Sequence, residues 1–252
     1  MVAVRAFTLV ELLVTIAIIA TLLALLIPAL RHTVGAARGF RCQVSLRSIA
    51  FDFSVFADDN LHGDRGNDTR EVGSHRFRLE TFQESQYGLD EFWRWGSAQS
   101  YSLPDAAKND PMRCSEVKAP ITLLASTPCS TAIEPPRNIS YGFNLRLHRA
   151  EIVGPDGQLR LSSVVLKSAV LDNPRVPLVW DVDGAVAESR GATPSFSAPA
   201  AGSNGFFADD AYWFPGRRHN GATNYALMDG SVSATSKHPS ETNWDWSFQP
   251  TP

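Results

Sequence analysis

Residues 7–30 read FTLVELLVTIAIIATLLALLIPAL, twenty-four residues whose only charged side chain is Glu11. At about 1.5 Å of helix rise per residue, this run spans a hydrocarbon core of about 30 Å. It exceeds the apolar stretch of a secretory signal. A segment apolar on every side has no face to offer water, so the expected state is a membrane helix with the remaining chain folded as a separate body. A carboxylate inside such a run costs on the order of 2.5–3.5 kcal/mol unless it is partnered. Glu11 is therefore a functional candidate. Its own helix offers no cation at that depth, so the expected partner is a positive group on another copy of the helix.

The helical pattern outlasts the apolar run. Pro28 removes one backbone hydrogen bond without ending the pattern. Gly35 and Gly39, four residues apart, either permit close approach of another helix or merely soften the helix. Cys42, Leu46, Ile49, Phe53 and Phe56 then follow 4-3-4-3 spacing, an amphipathic stripe suited to lying on a globular domain. The helix is expected over 7–57, about 75 Å long. The turn-forming sequence DDNLHGDRGND at 58–68 ends it.

From residue 58 the texture changes. LRLSSVVL at 159–166, VPLVWDV at 176–182, TNYALM at 223–228 and SVSAT at 231–235 are short and rich in β-branched residues, as in an antiparallel sheet. Asp229-Gly230, between two of these segments, predicts a two-residue type I′ hairpin turn, and Asn220-Gly221 a second tight turn. PSFSAPAAGSNG at 194–205 reads as a surface loop. The fold class expected is α+β: a long N-terminal transmembrane helix packed on a head with an antiparallel sheet. A net charge of −3 gives no electrostatic pull toward nucleic acid.

Residue chemistry points away from catalysis. No G-x-S-x-G, H-E-x-x-H, P-loop or G-x-G-x-x-G is present. Cys42, Cys114 and Cys129 form no C-x-x-C. Outside the cytoplasm Cys114 and Cys129 could pair, closing a loop of about 15 residues worth roughly 3 kcal/mol, or both could stay free; Cys42 is left over either way. Asp58, Asp59, Asp64 and Asp68 could hold a hard cation such as calcium, but they lack EF-hand order, and a solvated loop is the plainer reading. D-V-D-G at 181–184 is no better placed. His219 with Asp229 could form a general-base pair, although both sit beside turn residues where backbone capping is commoner. Tryptophans occur in EFWRW, VWD, AYWFPG and NWDW; they serve either core packing or a glycan surface.

AFTLVELL at 6–13 resembles the cleavage and methylation motif of type IV prepilins, with Ala6 where that family usually has Gly. The resemblance implies cutting between Ala6 and Phe7 by a prepilin peptidase, N-methylation of Phe7, and neutralisation of a neighbouring subunit's terminal amine by Glu11. Further along, His219 and Asp229-Gly230 make an H-x9-D-G spacing. With RCQVSLRSIAF at 41–51, PMRCSE at 111–116 and ISYGFN at 139–144, this resembles the pilin-like DUF1559 family, for which no activity is known. Both ends of the chain carry the resemblance and the middle carries little.

On this reading residues 1–6 are a leader, 7–57 the pilin-type helix with its transmembrane part at 7–30, and 58–252 a periplasmic head. The expected function is structural: a pseudopilin or type IV pilus-like subunit of the inner membrane, with a cytoplasmic N-terminus. Arg31, His32, Arg38 and Arg41 beyond the run outweigh Arg5 before it and by charge alone favour the reverse orientation; the short leader and the prepilin motif favour this one. The partners implied are prepilin peptidase, other pilin-like subunits and membrane lipid. A membrane-tethered binding module for glycan or cell-wall polymer is the competing expectation.

Overall fold

The computed structural model describes residues 8–58, 75–87, 112–117, 140–183, 197–198, 215–237, 242–246, 248 and 250. Helix α1 runs unbroken from Leu9 to Ala57, with Pro28 inside it. Its start is a capping box: the Glu11 N–H donates to Thr8 Oγ1 at 3.2 Å, and the Thr8 N–H donates to Glu11 Oε2 at 2.9 Å. Glu11 thus has local partners that sequence reading alone did not give it, but they are neutral. Its helix is long and apolar enough to cross a membrane, with a mean hydropathy of 2.8 over its most apolar 18 residues.

The two halves of α1 meet different surroundings. From Leu9 to Val34 every residue is exposed, whereas Gly39, Cys42, Leu46, Ile49, Ala50, Phe53 and Ala57 are buried. The stripe read from the sequence is the face that docks, except that Phe56 is only partly buried and Ala57 completes the row.

Beyond α1 come β1 (Arg76–Phe77), α2 (Leu79–Tyr87), β2 (Tyr141–Asn144), β3 (Arg149–Val153), β4 (Leu159–Ser163), β5 (Leu166–Lys167), β6 (Pro177–Asp181), β7 (Ser197–Ala198), β8 (Thr223–Leu227) and β9 (Val232–Thr235). The main sheet has the order β7-β2-β6-β8-β9. Its pairings are antiparallel apart from the short β7, which joins β2 in parallel. β3 and β4 form a separate antiparallel hairpin, and β1 pairs with β5. The chain is therefore α+β, with a long apolar N-terminal helix and antiparallel sheets.

Strand alternation sends Tyr141, Asp181 and Asn224 toward α1, and Trp180 and Tyr225 to the opposite face. On the first face Phe53 of α1 stacks edge-on against Phe77 and Phe82, at 5.9 and 5.2 Å between centroids. Gln43 Nε2 donates to Asn224 Oδ1 at 3.0 Å, tying helix to sheet. On the second face Trp244 and Trp246 cover Tyr225, and Trp246 packs on Trp180. These three tryptophans serve the core; the remaining ones, at 93, 95 and 213, lie outside the described residues.

Both predicted turns exist, but the type I′ geometry expected at Asp229-Gly230 is found at Asn220-Gly221 instead. Asn220 and Gly221 have φ of 52° and 81°, so this pair holds the two left-handed positions of a type I′ turn closed between His219 and Ala222. At Asp229-Gly230 only the glycine is left-handed, with φ 79°. There the Gly230 N–H donates to the Leu227 carbonyl at 3.0 Å, and the Leu227 N–H to the Ser231 carbonyl at 2.9 Å. This makes a three-residue loop ending in a glycine bulge, in place of the two-residue turn expected. The Asp229 side chain accepts the Ser231 N–H at 2.9 Å, which settles the loop without φ > 0 at Asp229.

A buried thiol–imidazole–carboxylate cluster

Four distant segments converge where α1 enters the head. Cys42 comes from α1, Cys114 from the stretch 112–117, Asp181 from the end of β6, and His219 from the turn that leads into β8. Cys42 and Cys114 are 1% and 0% exposed, Asp181 0% and His219 8%. Both cysteines are free thiols. Cys114 Sγ lies 3.4 Å from His219 Nε2, which is also 3.4 Å from Asp181 Oδ2. On the other side of the ring, Nδ1 faces Glu116 Oε2 at 4.0 Å. Cys42 Sγ, Cys114 Sγ and a His219 ring nitrogen all lie within 4.8 Å of one another.

The local sequence explains this placement. The Asn220-Gly221 turn fixes the direction of His219, and the helix beneath it carries no side chain at the point of contact. A Cβ on Gly39 would sit 3.5 Å from His219 Nδ1, and one on Gly35 would sit 4.0 Å from Asn220 Oδ1. What these glycines face is the turn at His219–Asn220, not another helix. Asp181 is anchored from behind: the Asn224 N–H donates to its Oδ2 at 2.9 Å, and Arg218 lies 3.6 Å from its Oδ1. Arg218 also donates to the carbonyls of Val182 and Ser140, so its guanidinium is held in place.

These contacts reorganise the protons. Hydrogen bonding from Cys114, working against burial and aided by His219, Tyr141 and Ser115, lowers the Cys42 thiol to about 3. Cys114, hydrogen-bonded to that sulfur and buried, is raised. Burial works to lower His219, but hydrogen bonds to Asp181 and Cys42 and their charges outweigh it and raise the ring to about 10. Burial, reinforced by the charges of Cys42 and Asp181, pushes the Tyr141 phenol well up. The opposite shifts of Cys42 and His219 favour a proton on the ring rather than on the Cys42 sulfur, beside Cys114 and Asp181. Such a set can hold a metal ion, carry redox chemistry or act purely as a buried polar staple.

The residues singled out in the sequence fare unevenly. His219 and Asp229 do not meet: they occupy the turns at opposite ends of β8, and Asp229 is exposed. The H-x9-D-G spacing therefore measures one turn, one strand and the next turn. Cys129, Asp59, Asp64 and Asp68 lie outside the described residues, as do Ala6 and Phe7, while Asp58 caps the end of α1. Cys114 has Cys42 as its thiol neighbour, the cysteine that sequence pairing left over. In the sequence Asp181 stands out only within D-V-D-G at 181–184 as a weak cation candidate, and Tyr141 only within ISYGFN; neither is tied to the histidine or the cysteines, because a buried strand pattern gives no sign of what its side chains face. No protein-family profile matches the chain, and no curated protein or solved structure matches it significantly.

Proposed function

We propose that this chain is a pilin-like structural subunit, anchored in a bacterial inner membrane with its head in the periplasm. It is processed between Ala6 and Phe7 by a prepilin peptidase, methylated at Phe7, and assembled with other pilin-like subunits into a type II secretion pseudopilus or a type IV pilus-like filament. The supporting observation is the division of α1: one continuous helix whose first half is apolar and exposed all round and whose second half is part of the head's core. A simple membrane tether needs no such continuity, whereas a subunit that packs by its helices does. The prepilin-like motif at 6–13 and the H-x9-D-G spacing point the same way. The binding-module reading is weakened because Trp180, Trp244 and Trp246 pack into the core.

Assembly in this proposal rests on Glu11. Its partners in the isolated chain are the Thr8 N–H and hydroxyl, which satisfy lone pairs but bring no positive charge. A neighbouring subunit's terminal amine would supply that charge, and a buried carboxylate gains most from a buried cation. Glu11→Ala should leave membrane insertion intact while sharply reducing entry into filaments. The check is to compare membrane fractions with sheared filaments from the native host. Incorporation of Glu11→Ala at wild-type levels would defeat the assembly role and favour a tethered binding protein.

A further inference from the structure

The geometry points to a metal site that none of the sequence motifs indicates: we propose that Cys42, Cys114, His219 and Asp181 bind one zinc ion. The donor set is the first argument. Two thiolates, an imidazole and a carboxylate suit a borderline-soft divalent cation, whereas calcium and magnesium take oxygen ligands. Spacing is the second. With zinc–sulfur bonds of about 2.3 Å and zinc–nitrogen or zinc–oxygen bonds of about 2.0–2.1 Å, tetrahedral geometry separates sulfur from nitrogen by about 3.6 Å and nitrogen from oxygen by about 3.4 Å. The Cys114 Sγ–His219 Nε2 and His219 Nε2–Asp181 Oδ2 separations are both 3.4 Å. Cys42 Sγ, Cys114 Sγ and a His219 ring nitrogen lie within 4.8 Å of one another, while Asp181 stands outside that common span at 3.4 Å from His219 Nε2, so the four close on one ion only when the side chains draw in.

The surroundings are the third argument. With Nε2 on the ion, Nδ1 of His219 stands 4.0 Å from Glu116 Oε2, longer than a hydrogen bond, and the carboxylate–histidine arrangement that commonly orients metal ligands would form only if the two close on each other. Asp181 Oδ2 already accepts the Asn224 N–H, and Arg218 stands 3.6 Å from Oδ1. The Tyr141 hydroxyl is fully buried and close enough to Cys42 for that sulfur to push its phenol up, and a ligating thiolate would accept from it. Two thiolates and Asp181 bring three negative charges, and a divalent ion with Arg218 brings three positive ones, the Glu116 carboxylate standing outside this sum at 4.0 Å from His219 Nδ1. Each ligand comes from a different part of the chain, so the ion would join the anchor helix to three separated segments of the head. Its role would be structural, as in closed four-ligand sites.

The test uses the full-length chain purified in mild detergent under metal-replete conditions. Elemental analysis by plasma mass spectrometry should find about one zinc per chain. After chelation, cobalt(II) added to the wild-type chain should give the intense visible absorption of a tetrahedral thiolate complex. Cys42→Ser and His219→Gln should each bring zinc close to zero and abolish that spectrum. The cobalt titration needs no variant, so a misfolded variant leaves it decisive. Peptide mass spectrometry under non-reducing conditions tests the competing chemistry. A predominant Cys42–Cys114 disulfide, a metal-free wild-type chain that gives no cobalt–thiolate spectrum, or zinc retained in Cys42→Ser would each overturn the assignment.

Discussion

The two halves of α1 share one backbone and almost no physics. Between Leu9 and Val34 the side chains are exposed and nearly uniform, so no direction around the axis is preferred. From Gly39 to Ala57 one stripe is buried and the opposite side carries Arg41, Arg47 and other exposed residues. The first half is specified by composition alone and the second by position. Substitution should therefore be forgiven in one and punished in the other.

The largest contrast lies in the hydrophobic residues. Phe53 is fully buried among Phe77, Phe82 and the sheet, so Phe53→Ala should cost the head about 3–5 kcal/mol through lost transfer energy and a cavity. Leu22, 62% exposed in the first half, should be replaceable by Ala with no measurable change in head stability. Thermal unfolding of the two full-length variants in detergent, followed by near-ultraviolet circular dichroism, reads both. Equal midpoints would dissolve the distinction.

Next comes the boundary between the halves. A methyl group on Gly39 would meet the His219 ring at 3.5 Å, ordinary van der Waals contact. Gly39→Ala should be tolerated within about 1 kcal/mol, helped by the better helix propensity of alanine. Gly39→Leu should cost about 1–3 kcal/mol by overpacking against a ring that its turn cannot release. Denaturant melts of the pair give the difference directly.

A smaller effect separates the two ends of β8, one docked on the helix and the other remote from it. At the remote end Gly230 has φ 79° and open space around its missing Cβ, so the cost of a side chain there is backbone strain alone. Gly230→Val should destabilise by about 1–2 kcal/mol while leaving the ultraviolet signature of the tryptophan cluster unchanged. An unaltered melting temperature would show that the bulge tolerates a branched residue.

The smallest predicted effect is an absence of one. In the metal-free chain Cys42 is lowered from 9.0 to about 3 and His219 is raised from 6.5 to about 10. Taken singly, the thiolate's contribution is present above pH 9.0 and lost as pH falls through about 3. The imidazolium's contribution is present below pH 6.5 and lost as pH rises through about 10. Between 6.5 and 9.0 both native and unfolded states hold one proton on the pair, so the two slopes cancel. The stability of chelator-treated wild type relative to a Cys42→Ser, His219→Gln double variant should be flat over that window and decline on either side. A slope inside the window would mean that the proton does not pass from Cys42 to His219 on folding.

What the sequence makes legible follows the same division. Helix α1, its end near residue 57, its buried stripe and the strands at 159, 177, 223 and 232 can be read because each is a local pattern of period 3.6 or 2. The turn types are harder. Asn-Gly and Asp-Gly carry the same signal, and the choice between a two-residue and a three-residue loop was made by the register Ala226↔Val232, a property of the strand pair. The cluster is illegible for a different reason. Its members at positions 42, 114, 181 and 219 have no mutual spacing, and only the strand order β2-β6-β8 and the docking of α1 bring them within reach. His219 drew notice through its spacing to Asp229, yet its carboxylate partners are Asp181 and Glu116. In that strand a carboxylate facing the helix looks no different from one facing water.

The side-by-side seating of α1 against the head has a mechanical consequence. Its buried residues extend from Gly39 to Ala57, about 27 Å along the axis, and they touch β8, β6, β9 and α2 rather than meeting them end-on. A pull on the exposed half is directed along that contact surface. It loads the interlocked rows of side chains in parallel, as in a lap joint, and no single row can be peeled away before the others. The Gln43–Asn224 hydrogen bond and the cluster around Cys42 stand near the leading edge of the joint, where shear stress is greatest. The head is thus fastened so that axial tension meets its strongest direction, and only a sideways force finds the weak one.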